Sequence, residues 1–428
     1  MIQNTPNREF FKENRRRFSK LLKPGSIAVF HSNDQMPRNG DQFYTFRQNS
    51  DFFYLTGINQ EKSILLAAPE HPDPKYREIL FLIETNQKIA TWEGHKYTKN
   101  EASDISGIEN VQWLDGYQML LRELMQWCSR VYINTYEYPK YETDVPSRNI
   151  RHASELRVNF PGHTFERAAP LLTRLRMIKQ KEEIGMIREA IRITGKAFER
   201  MLRFVKPGVN EYQVQAEMEH EFAMNGATGP AYAPIVAAGA SSCVLHYIEN
   251  NKQCNDGDVL LFDFGAEYGN YAADISRTIP VNGKFTNRQR ELYDLVLRVQ
   301  KKAIQKLVPG NTTKKYNEFV NKEMEREMIA IGLLKEHEVR NQDPDQPLFK
   351  KYFMHGTAHH LGLDVHDVFD KHRPFEAGMV FTCEPGIYIR EEGIGIRIEN
   401  NILVTENGTE DLSEHIPREA AEIEKMMK

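Results

Sequence analysis

The sequence predicts an α+β protein with two domains, an α/β domain over residues 1–172 and a larger, internally duplicated α+β domain over residues 173–428. Three observations support this prediction. At 428 residues the chain is too long for one typical domain. Apolar segments alternate with polar or helical stretches in the first part. In the remainder, one order of elements (helix, Pro-Gly, helix, strands) occurs twice.

Apolar runs and helical periodicity predict several elements of the first domain. They are the strands Ser26–Phe30, Ser63–Ala68, Glu78–Ile83 and Arg130–Asn134 and the helix Gly116–Trp127. The segment Arg47–Gly57, RQNSDFFYLTG, packs polar residues against aromatic ones, and its local pattern favours a strand start with a turn at Thr56-Gly57. A linker is expected over Phe160–Thr173, where prolines interrupt a weak periodicity.

The duplication is predicted from two helical hairpins. Each begins with a helix that has one apolar face, and these helices end at Pro207-Gly208 and Pro309-Gly310. A second helix follows in each case, and then the strand-like segments 235–263 and 352–404. The pattern predicts a pseudo-symmetric domain with a shared central sheet, in which residues from both halves meet. A chance resemblance between two helical hairpins is the alternative.

The composition excludes several classes of partner. Lys and Arg number 56 against 60 Asp and Glu, so the net charge of −4 does not indicate a nucleic-acid partner. The basic N-terminus lacks the apolar run of a signal peptide, and no segment approaches the ~20 apolar residues of a membrane span. Four scattered cysteines without a CxxC pair indicate reduced thiols, and hence a cytoplasmic protein.

The segment Val259–Pro280 contains two aspartates in strand-like surroundings. If the chain turns between Tyr268 and Gly269, Asp263 and Asp274 lie directly opposite each other on one face, with Cβ atoms about 5 Å apart. Two carboxylates so close in apolar surroundings persist only with a proton or a cation between them. The alternative is one buried aspartate that caps a turn and one that is exposed to solvent.

The second half contains further candidate ligands. Four histidines occur within twelve residues of the segment His355–His366, and Gly356 excludes the HExxH zinc motif there. Glu384 ends an apolar run just before a proline, which exposes it at the edge of a strand. Glu399 follows an alternating strand, where Arg397 is a candidate ion-pair partner for it.

Four carboxylates and at least one imidazole therefore interrupt strand-like runs. Oxygen-rich ligation with one nitrogen suits Mn²⁺, Co²⁺ or Fe²⁺, with Zn²⁺ as a further candidate. Four carboxylates are too many for one ion, and two ions ~3.5–4 Å apart would use them all. Such a centre makes hydroxide at neutral pH and polarises a carbonyl, which indicates hydrolysis of an amide or ester. The alternative is a carboxylate–histidine site without metal.

The order Asp263, Asp274, His359, Glu384, Glu399 resembles the five-ligand pattern of the pita-bread metallopeptidases, which include methionine aminopeptidase, prolidase and aminopeptidase P. The resemblance implies a duplicated α+β fold with a dinuclear centre, most often of manganese or cobalt. It implies that Asp263 holds one ion, that His359 and Glu384 hold the other, and that Asp274 and Glu399 bridge them.

The resemblance also implies the catalytic residues. His246 and His366 would hydrogen-bond the scissile carbonyl or its oxyanion, a role typically worth a few kcal/mol. Glu384 would also transfer the proton from a metal-bridging hydroxide to the leaving nitrogen.

Two segments are similar to those of aminopeptidase P in particular: the histidine-dense HGTAHHLGLDVHD and the N-terminal RQNSDFFYLTG. The implied substrates are peptides with proline at the second position, and relatives of this type form homodimers or homotetramers. Tyr388 and His355 are expected to wall a proline-sized pocket, and Arg397 matches a position near the active site. Asp41 matches an acidic position that approaches the cleft, although its local sequence is also typical of a turn.

Two alternatives stay open. A prolidase would cut only Xaa-Pro dipeptides and needs a group that binds the substrate's carboxylate, which the sequence does not identify. A non-catalytic binding protein on the same fold should have lost ligands or histidines, and this chain keeps all of them.

Overall fold

The computed structural model describes residues 5–135, 137–138 and 143–428, which form two compact units, Thr5–Arg176 and Met177–Lys428. We call them the N-terminal and C-terminal units. Their division follows a helix that spans residues 172 and 173, where the sequence predicts the domain boundary. Within the described ranges, no helix combines the length and the apolar composition that crossing a lipid bilayer requires.

The N-terminal unit contains seven described helices and eight described strands. The helices are α1 (Arg8–Ser19), α2 (Ser50–Thr56), α3 (Gln87–Glu93), α4 (Lys99–Ser106), α5 (Tyr117–Trp127), α6 (Arg148–Asn159) and α7 (Ala169–Arg176). The strands are β1 (Ser26–His31), β2 (Pro37–Asn39), β3 (Gln42–Phe43), β4 (Ile64–Ala67), β5 (Glu78–Leu82), β6 (Asn110–Trp113), β7 (Arg130–Ile133) and β8 (Thr164–Arg167). The four predicted strands and the predicted helix are confirmed as β1, β4, β5, β7 and α5, each end within one residue.

Six of these strands form one mixed sheet in the order β6-β5-β4-β1-β7-β8. Strand β1 pairs antiparallel with β4 and parallel with β7, and all six of its residues are buried. The core of the unit lies between this sheet and helix α5, where Leu121 and Leu124 pack with apolar residues of the strands. The α/β character predicted for this part of the chain is therefore confirmed.

The segment Arg47–Gly57 forms a helix, so the strand predicted from its local pattern is wrong. Helix α2 begins because the Asn49 side chain accepts a hydrogen bond from the backbone N–H of Phe52. It ends because Gly57 adopts the left-handed conformation, with φ of 70°. These two caps fix a seven-residue helix whose aromatic residues are buried.

The C-terminal unit contains six described helices and eleven described strands. The helices are α8 (Lys181–Phe204), α9 (Glu211–Met224), α10 (Asn287–Ile304), α11 (Thr313–Ala330), α12 (Glu336–Arg340) and α13 (Ala420–Met426). The strands are β9 (Gly229–Pro230), β10 (Ile235–Ala238), β11 (Val259–Phe264), β12 (Ala266–Tyr268), β13 (Tyr271–Ala272), β14 (Ile275–Pro280), β15 (Val380–Cys383), β16 (Gly386–Ile389), β17 (Ile394–Arg397), β18 (Asn400–Thr405) and β19 (Gly408–Asp411).

The predicted duplication is present in this unit. The pair α8-α9 precedes an antiparallel sheet in the order β10-β11-β14, and the pair α10-α11 precedes one in the order β15-β18-β19. The prediction of one shared sheet is corrected, because each half has its own three-stranded sheet of this kind and the two halves meet at β14. The remaining described strands of the unit form two further sheets, β13-β12-β9 and β16-β17. Glu399 N donates to the Ser276 carbonyl at 3.0 Å, and further bonds across the joint run through the side chains of Thr278 and Asn401. The joint therefore places residues of both halves together.

Candidate metal centre

The hairpin that carries the two aspartates turns one position later than predicted. Gly269-Asn270 forms the turn, with φ of 57° and 67°, values that suit these two residue types. The later turn pairs Asp263 with Ser276, so the prediction that Asp263 and Asp274 lie directly opposite each other is wrong. Asp274 lies two residues before Ser276 and is thus diagonal to Asp263 on the same face. The two carboxylates still meet on one side of the hairpin.

The second half brings an imidazole and two carboxylates to this place. His359 Nε2 lies 3.3 Å from Asp274 Oδ2 and 3.7 Å from Glu384 Oε1. Asp274, His359 and Glu399 present one ligand atom each within 4.8 Å of one another. Glu384 directly follows β15 and Glu399 directly precedes β18, so the ends of two neighbouring strands position them. The structure thus brings together all five residues that the sequence proposes as ligands.

The electrostatics of this cluster favour a bound cation. Burial raises the pKa of Asp274, and the nearby Asp263 raises it further. Burial raises the pKa of Glu384 to about 7 and that of Glu399 well above its ordinary value. Among the described residues, Glu399 Oε1 is buried and has no hydrogen-bond partner. Clustered carboxylates with an unsatisfied buried oxygen fit the oxygen-rich donor set that divalent ions prefer.

His359 has the protonation behaviour expected beside these carboxylates. Burial lowers the pKa of its imidazole, but the hydrogen bond with Asp274 and the charge of Glu384 outweigh burial and raise the pKa to about 9. Its Nδ1 lies 3.0 Å from the carbonyl oxygen of His360, which orients the ring and leaves Nε2 facing the carboxylates. An imidazole fixed in this way has one nitrogen directed at the candidate ligand position.

Arg397 pairs with Asp263 and not with Glu399, so the ion pair considered from the sequence is wrong. Its Nη2 donates to Asp263 Oδ2 at 2.6 Å, and its Nε donates to Ser276 Oγ at 2.7 Å. Ser276 Oγ in turn donates to Glu399 Oε2 at 2.7 Å. Alternation along β17 places Arg397 on the side of the first half of the domain, where Asp263 lies.

Two further candidates join Arg397 in a chain of hydrogen bonds. Arg397 Nη1 donates to Tyr388 Oη at 3.0 Å, and Tyr388 Oη lies 2.8 Å from His355 Nε2. His355 Nδ1 lies 4.0 Å from Glu384 Oε2. Burial and the charge of Arg397 lower the pKa of His355 to about 4, so this imidazole is neutral at pH 7. The chain links His355 to the carboxylate cluster.

The remaining histidines differ in their surroundings. The ring of His366 packs edge-on against that of His359, with centroids 4.2 Å apart. His246 is exposed, and its charge is close enough to contribute to the lowered pKa of His355. His360 is buried between Phe369 and Phe381, and neither of its ring nitrogens has a partner among the described residues. His360 is therefore a packing residue beside the candidate ligands.

Asp41 lies in the N-terminal unit, in the exposed turn between β2 and β3. Its Oδ1 accepts a hydrogen bond from the Gln42 side chain at 2.9 Å, and Gly40 before it has φ of 56°. These features are those of a turn residue. Its approach to the cleft stays a prediction.

Comparisons with known proteins identify the family. The model of metallopeptidase family M24 matches residues 185–406, more than half of the chain, and that of the aminopeptidase P N-terminal domain matches residues 11–132. The chain belongs to metallopeptidase family M24. The pita-bread fold expected from the sequence is thereby confirmed for the C-terminal unit, together with the aminopeptidase P type of N-terminal domain.

The relatives of this M24 chain match it over almost its whole length. It is 36% identical to the Xaa-Pro aminopeptidase of Haemophilus influenzae, with 98% of this chain and 97% of the relative covered. It is 35% identical to the Xaa-Pro aminopeptidase of Escherichia coli, with 98% of each covered. The structure of E. coli aminopeptidase P with the inhibitor Pro-Leu superimposes with a TM-score of 0.89 at 34% identity, covering 99% of this chain and 98% of that one.

Two residues at the M24 site escaped the sequence analysis. Tyr232 Oη contacts both Asp263 and Asp274, and Ser276 lies between Arg397 and Glu399. Alternation offers a signal for Ser276, because it lies two residues after Asp274 and so faces the same side. Tyr232 lies in a loop, and its spacing from the aspartates gives no such signal.

Proposed function

We propose that this chain is an Xaa-Pro aminopeptidase with a dinuclear metal centre. It removes the first residue of a peptide whose second residue is proline, as the names of its full-length relatives indicate. The observation that carries the metal centre is the buried cluster of carboxylates around one imidazole, including an oxygen of Glu399 that lacks a partner among the described residues. The proposed ligands are Asp263, Asp274, His359, Glu384 and Glu399.

The ligands divide between the two ions as the family resemblance implies. Asp263 would hold one ion, His359 and Glu384 would hold the other, and Asp274 and Glu399 would serve both. Mn²⁺ is our first choice of metal, followed by Co²⁺, Fe²⁺ and Zn²⁺, because the donors are four carboxylates and one nitrogen. A solved E. coli aminopeptidase P is zinc-substituted, so that relative accepts zinc.

When bound, the ions supply an acidified water as nucleophile at neutral pH and polarise the scissile carbonyl. The residues of the chain do the rest. His246 and His366 donate hydrogen bonds to the carbonyl oxygen as it gains negative charge, a contribution of about 3 kcal/mol for one such donor. Glu384 carries the proton from the attacking water to the leaving nitrogen.

The chain His355–Tyr388–Arg397 forms the proposed wall for proline. Proline lacks a backbone N–H, so a binding site recognises it by a pocket that fits its ring and not by a hydrogen-bond acceptor at that nitrogen. Arg397 holds Tyr388 from one side and His355 holds it from the other, at 3.0 Å and 2.8 Å. Asp41 is proposed to bind the free amine of the substrate, which requires that its turn approach the cleft.

The test compares two substrates with the Mn²⁺-loaded enzyme, an Xaa-Pro dipeptide and an Xaa-Pro-Xaa-Xaa peptide. Cleavage of the first bond of the longer peptide supports the proposal, whereas cleavage of the dipeptide alone identifies a prolidase. Glu384→Gln should reduce turnover by 10²–10⁴-fold, the range for loss of a general acid or base. Glu406→Gln, at an exposed position of the same unit, is the control. Unchanged cleavage by Glu384→Gln would show that the assigned proton transfer is wrong.

We also propose a cytoplasmic homodimer or homotetramer that acts on peptides and not on nucleic acid. All four cysteines are free and buried, which fits a reducing compartment. The net charge of −4 gives no electrostatic reason for nucleic-acid binding. Light scattering at several protein concentrations measures the oligomeric state directly.

A further inference from the structure

A tyrosine hydroxyl lies between the two aspartates, and the proposed reaction does not use it. Tyr232 is in the loop between β9 and β10, and its Oη lies 2.6 Å from Asp263 Oδ1 and 2.5 Å from Asp274 Oδ1. Both distances are short for hydrogen bonds between oxygens. One side chain therefore contacts a carboxylate on β11 and another just before β14.

A phenol has one proton, so Tyr232 donates to one of these carboxylates at a time. The shared proton offsets part of the repulsion between two like charges held close together. Without that proton, rotation of the two carboxylates away from each other would lower their electrostatic repulsion.

The second oxygen of each aspartate shows what this contact accomplishes. Asp263 Oδ2 accepts from Arg397 at 2.6 Å and its Oδ1 contacts Tyr232, so protein groups contact both oxygens of Asp263. Asp274 Oδ2 instead faces His359 Nε2 at 3.3 Å, on the side where Glu399 completes a set of candidate ligand atoms. Fixing Oδ1 of Asp274 thereby directs its Oδ2 toward the other ligands.

We propose that Tyr232 is a positioning residue for metal binding, which sets the spacing and rotation of the Asp263 and Asp274 carboxylates before the ions enter. This inference rests on the dinuclear centre proposed above. Groups that orient metal ligands typically account for 10–100-fold in metal affinity or activity. The effect of Tyr232 should therefore fall on affinity for the ion.

A direct role in the reaction predicts a different result. If Tyr232 donated its proton to the substrate, its removal would lower kcat at saturating metal and leave metal affinity unchanged. If it positions the ligands, its removal raises the Kd for the ion, and excess metal restores most of kcat. Metal affinity and kcat measured on the same variant separate the two roles.

The experiment titrates Mn²⁺ into the chelator-stripped full-length chain by calorimetry, for wild type, Tyr232→Phe and Tyr293→Phe. Phenylalanine keeps the ring and removes only the hydroxyl. Tyr293 is the matched control, because it is also buried and its hydroxyl donates to the Arg418 carbonyl at 2.9 Å. We expect Tyr232→Phe to bind Mn²⁺ roughly 10–100-fold more weakly, and Tyr293→Phe to bind like wild type.

Three outcomes decide the matter. A raised Kd for Tyr232→Phe alone, with kcat recovered at excess Mn²⁺, supports the positioning role. An unchanged Kd overturns it, whatever happens to kcat. If the wild type itself binds no Mn²⁺, the proposed dinuclear centre is wrong. If the wild type binds two ions and Tyr232→Phe binds them equally well, the centre stands and only the role of Tyr232 is wrong. Thermal unfolding of each metal-free variant checks that the fold is retained.

Discussion

Two buried arginines of the C-terminal unit, Arg397 and Arg277, bind different partners. Substituting each with lysine therefore distinguishes a role of Arg397 in the reaction from a structural role of Arg277. Arg397 donates to three side chains of the site: Asp263 at 2.6 Å, Tyr388 at 3.0 Å and Ser276 at 2.7 Å. Arg277 donates to four backbone carbonyls, those of Ser276, Glu399, Ile416 and Pro417. Both side chains are 0–3% exposed, so solvent does not replace the lost bonds.

The expected magnitudes follow from the bonds that lysine cannot make. At position 397 a compact ammonium keeps the charge opposite Asp263 but loses the forked contacts to Tyr388 and Ser276. Hydrogen bonds with a charged partner contribute about 1.5–3 kcal/mol each, so two at the lower end amount to about 3 kcal/mol. If the transition state loses all of it, kcat/KM falls roughly 100-fold. Two carbonyl bonds lost at position 277 lower the free energy of unfolding by about 3 kcal/mol, roughly 6 °C in Tm for a unit of this size.

The assay measures kcat and KM of the Mn²⁺-loaded variants on an Xaa-Pro-Xaa-Xaa peptide, and Tm by scanning calorimetry. We expect Arg397→Lys to lose activity as well as stability, and Arg277→Lys to lose stability with kcat near wild type. Equal losses of Tm with equal activities would refute the distinction, because both arginines would then be structural. Retained activity in Arg397→Lys would show that its bonds to Tyr388 and Ser276 do not matter for turnover.

Two further predictions concern a buried hydroxyl and a buried imidazole. Ser276→Ala removes the donor to Glu399 and should weaken Mn²⁺ binding roughly 10-fold. The control is Thr278→Val on the same strand face, which removes bonds to backbone groups and should leave the Kd for Mn²⁺ unchanged. Equal effects of the two variants on the Kd would contradict the role of Ser276. Burial lowers the pKa of His31 well below its ordinary value, so on acidification the unfolded chain binds a proton that the folded chain does not. The free energy of unfolding of the N-terminal unit therefore falls by up to about 1.4 kcal/mol per pH unit as the pH drops below about 6.5. His31→Leu should flatten that loss, and tryptophan fluorescence measures it because all three tryptophans lie in this unit; an unchanged slope between pH 7 and 5 would contradict the assignment.

Local signals in the sequence were sufficient where one periodicity dominates. Strand β1 is buried along its whole length, so its apolar run predicts it to within one residue. The duplicated order of helices and strands predicts that the two halves meet, and the joint at β14 brings Asp274 and Glu399 within reach of His359. These predictions depend on patterns that repeat over many residues, and an error of one residue does not destroy them.

Predictions that depend on a single residue were less secure. The turn at Gly269-Asn270 follows from the left-handed backbone of two residues, and a shift of one position moved the partner of Asp263 from Asp274 to Ser276. Helix α2 depends on two caps that outweigh the strand propensity of its aromatic residues. The contact of Tyr232 is made by a loop, whose path the pattern of apolar residues does not specify.

Each half of the domain binds a candidate ligand residue of the other half. Asp274 directly precedes strand β14 of the first half, and Glu399 directly precedes strand β18 of the second half. Two residues after Asp274, Ser276 binds the Glu399 carboxylate at 2.7 Å. Two residues after Glu399, Asn401 binds the backbone of Asp274 through its amide, with the bond to Asp274 N at 3.2 Å.

This exchange explains why the two sheets meet where the candidate ligands lie. Each half supplies a carboxylate that is costly to bury and, two residues later, a polar side chain that satisfies a group of the other half. Neither carboxylate is therefore positioned by its own half alone. The two halves differ at the remaining candidate ligands, Asp263 and Glu384. Arg397 and Tyr232 contact Asp263, whereas His359 faces Glu384. In the proposed centre, the ion held by Asp263 would have the Arg397 guanidinium nearby, because Arg397 Nη2 lies 2.6 Å from Asp263 Oδ2. The two proposed metal positions should therefore differ in affinity for the same ion.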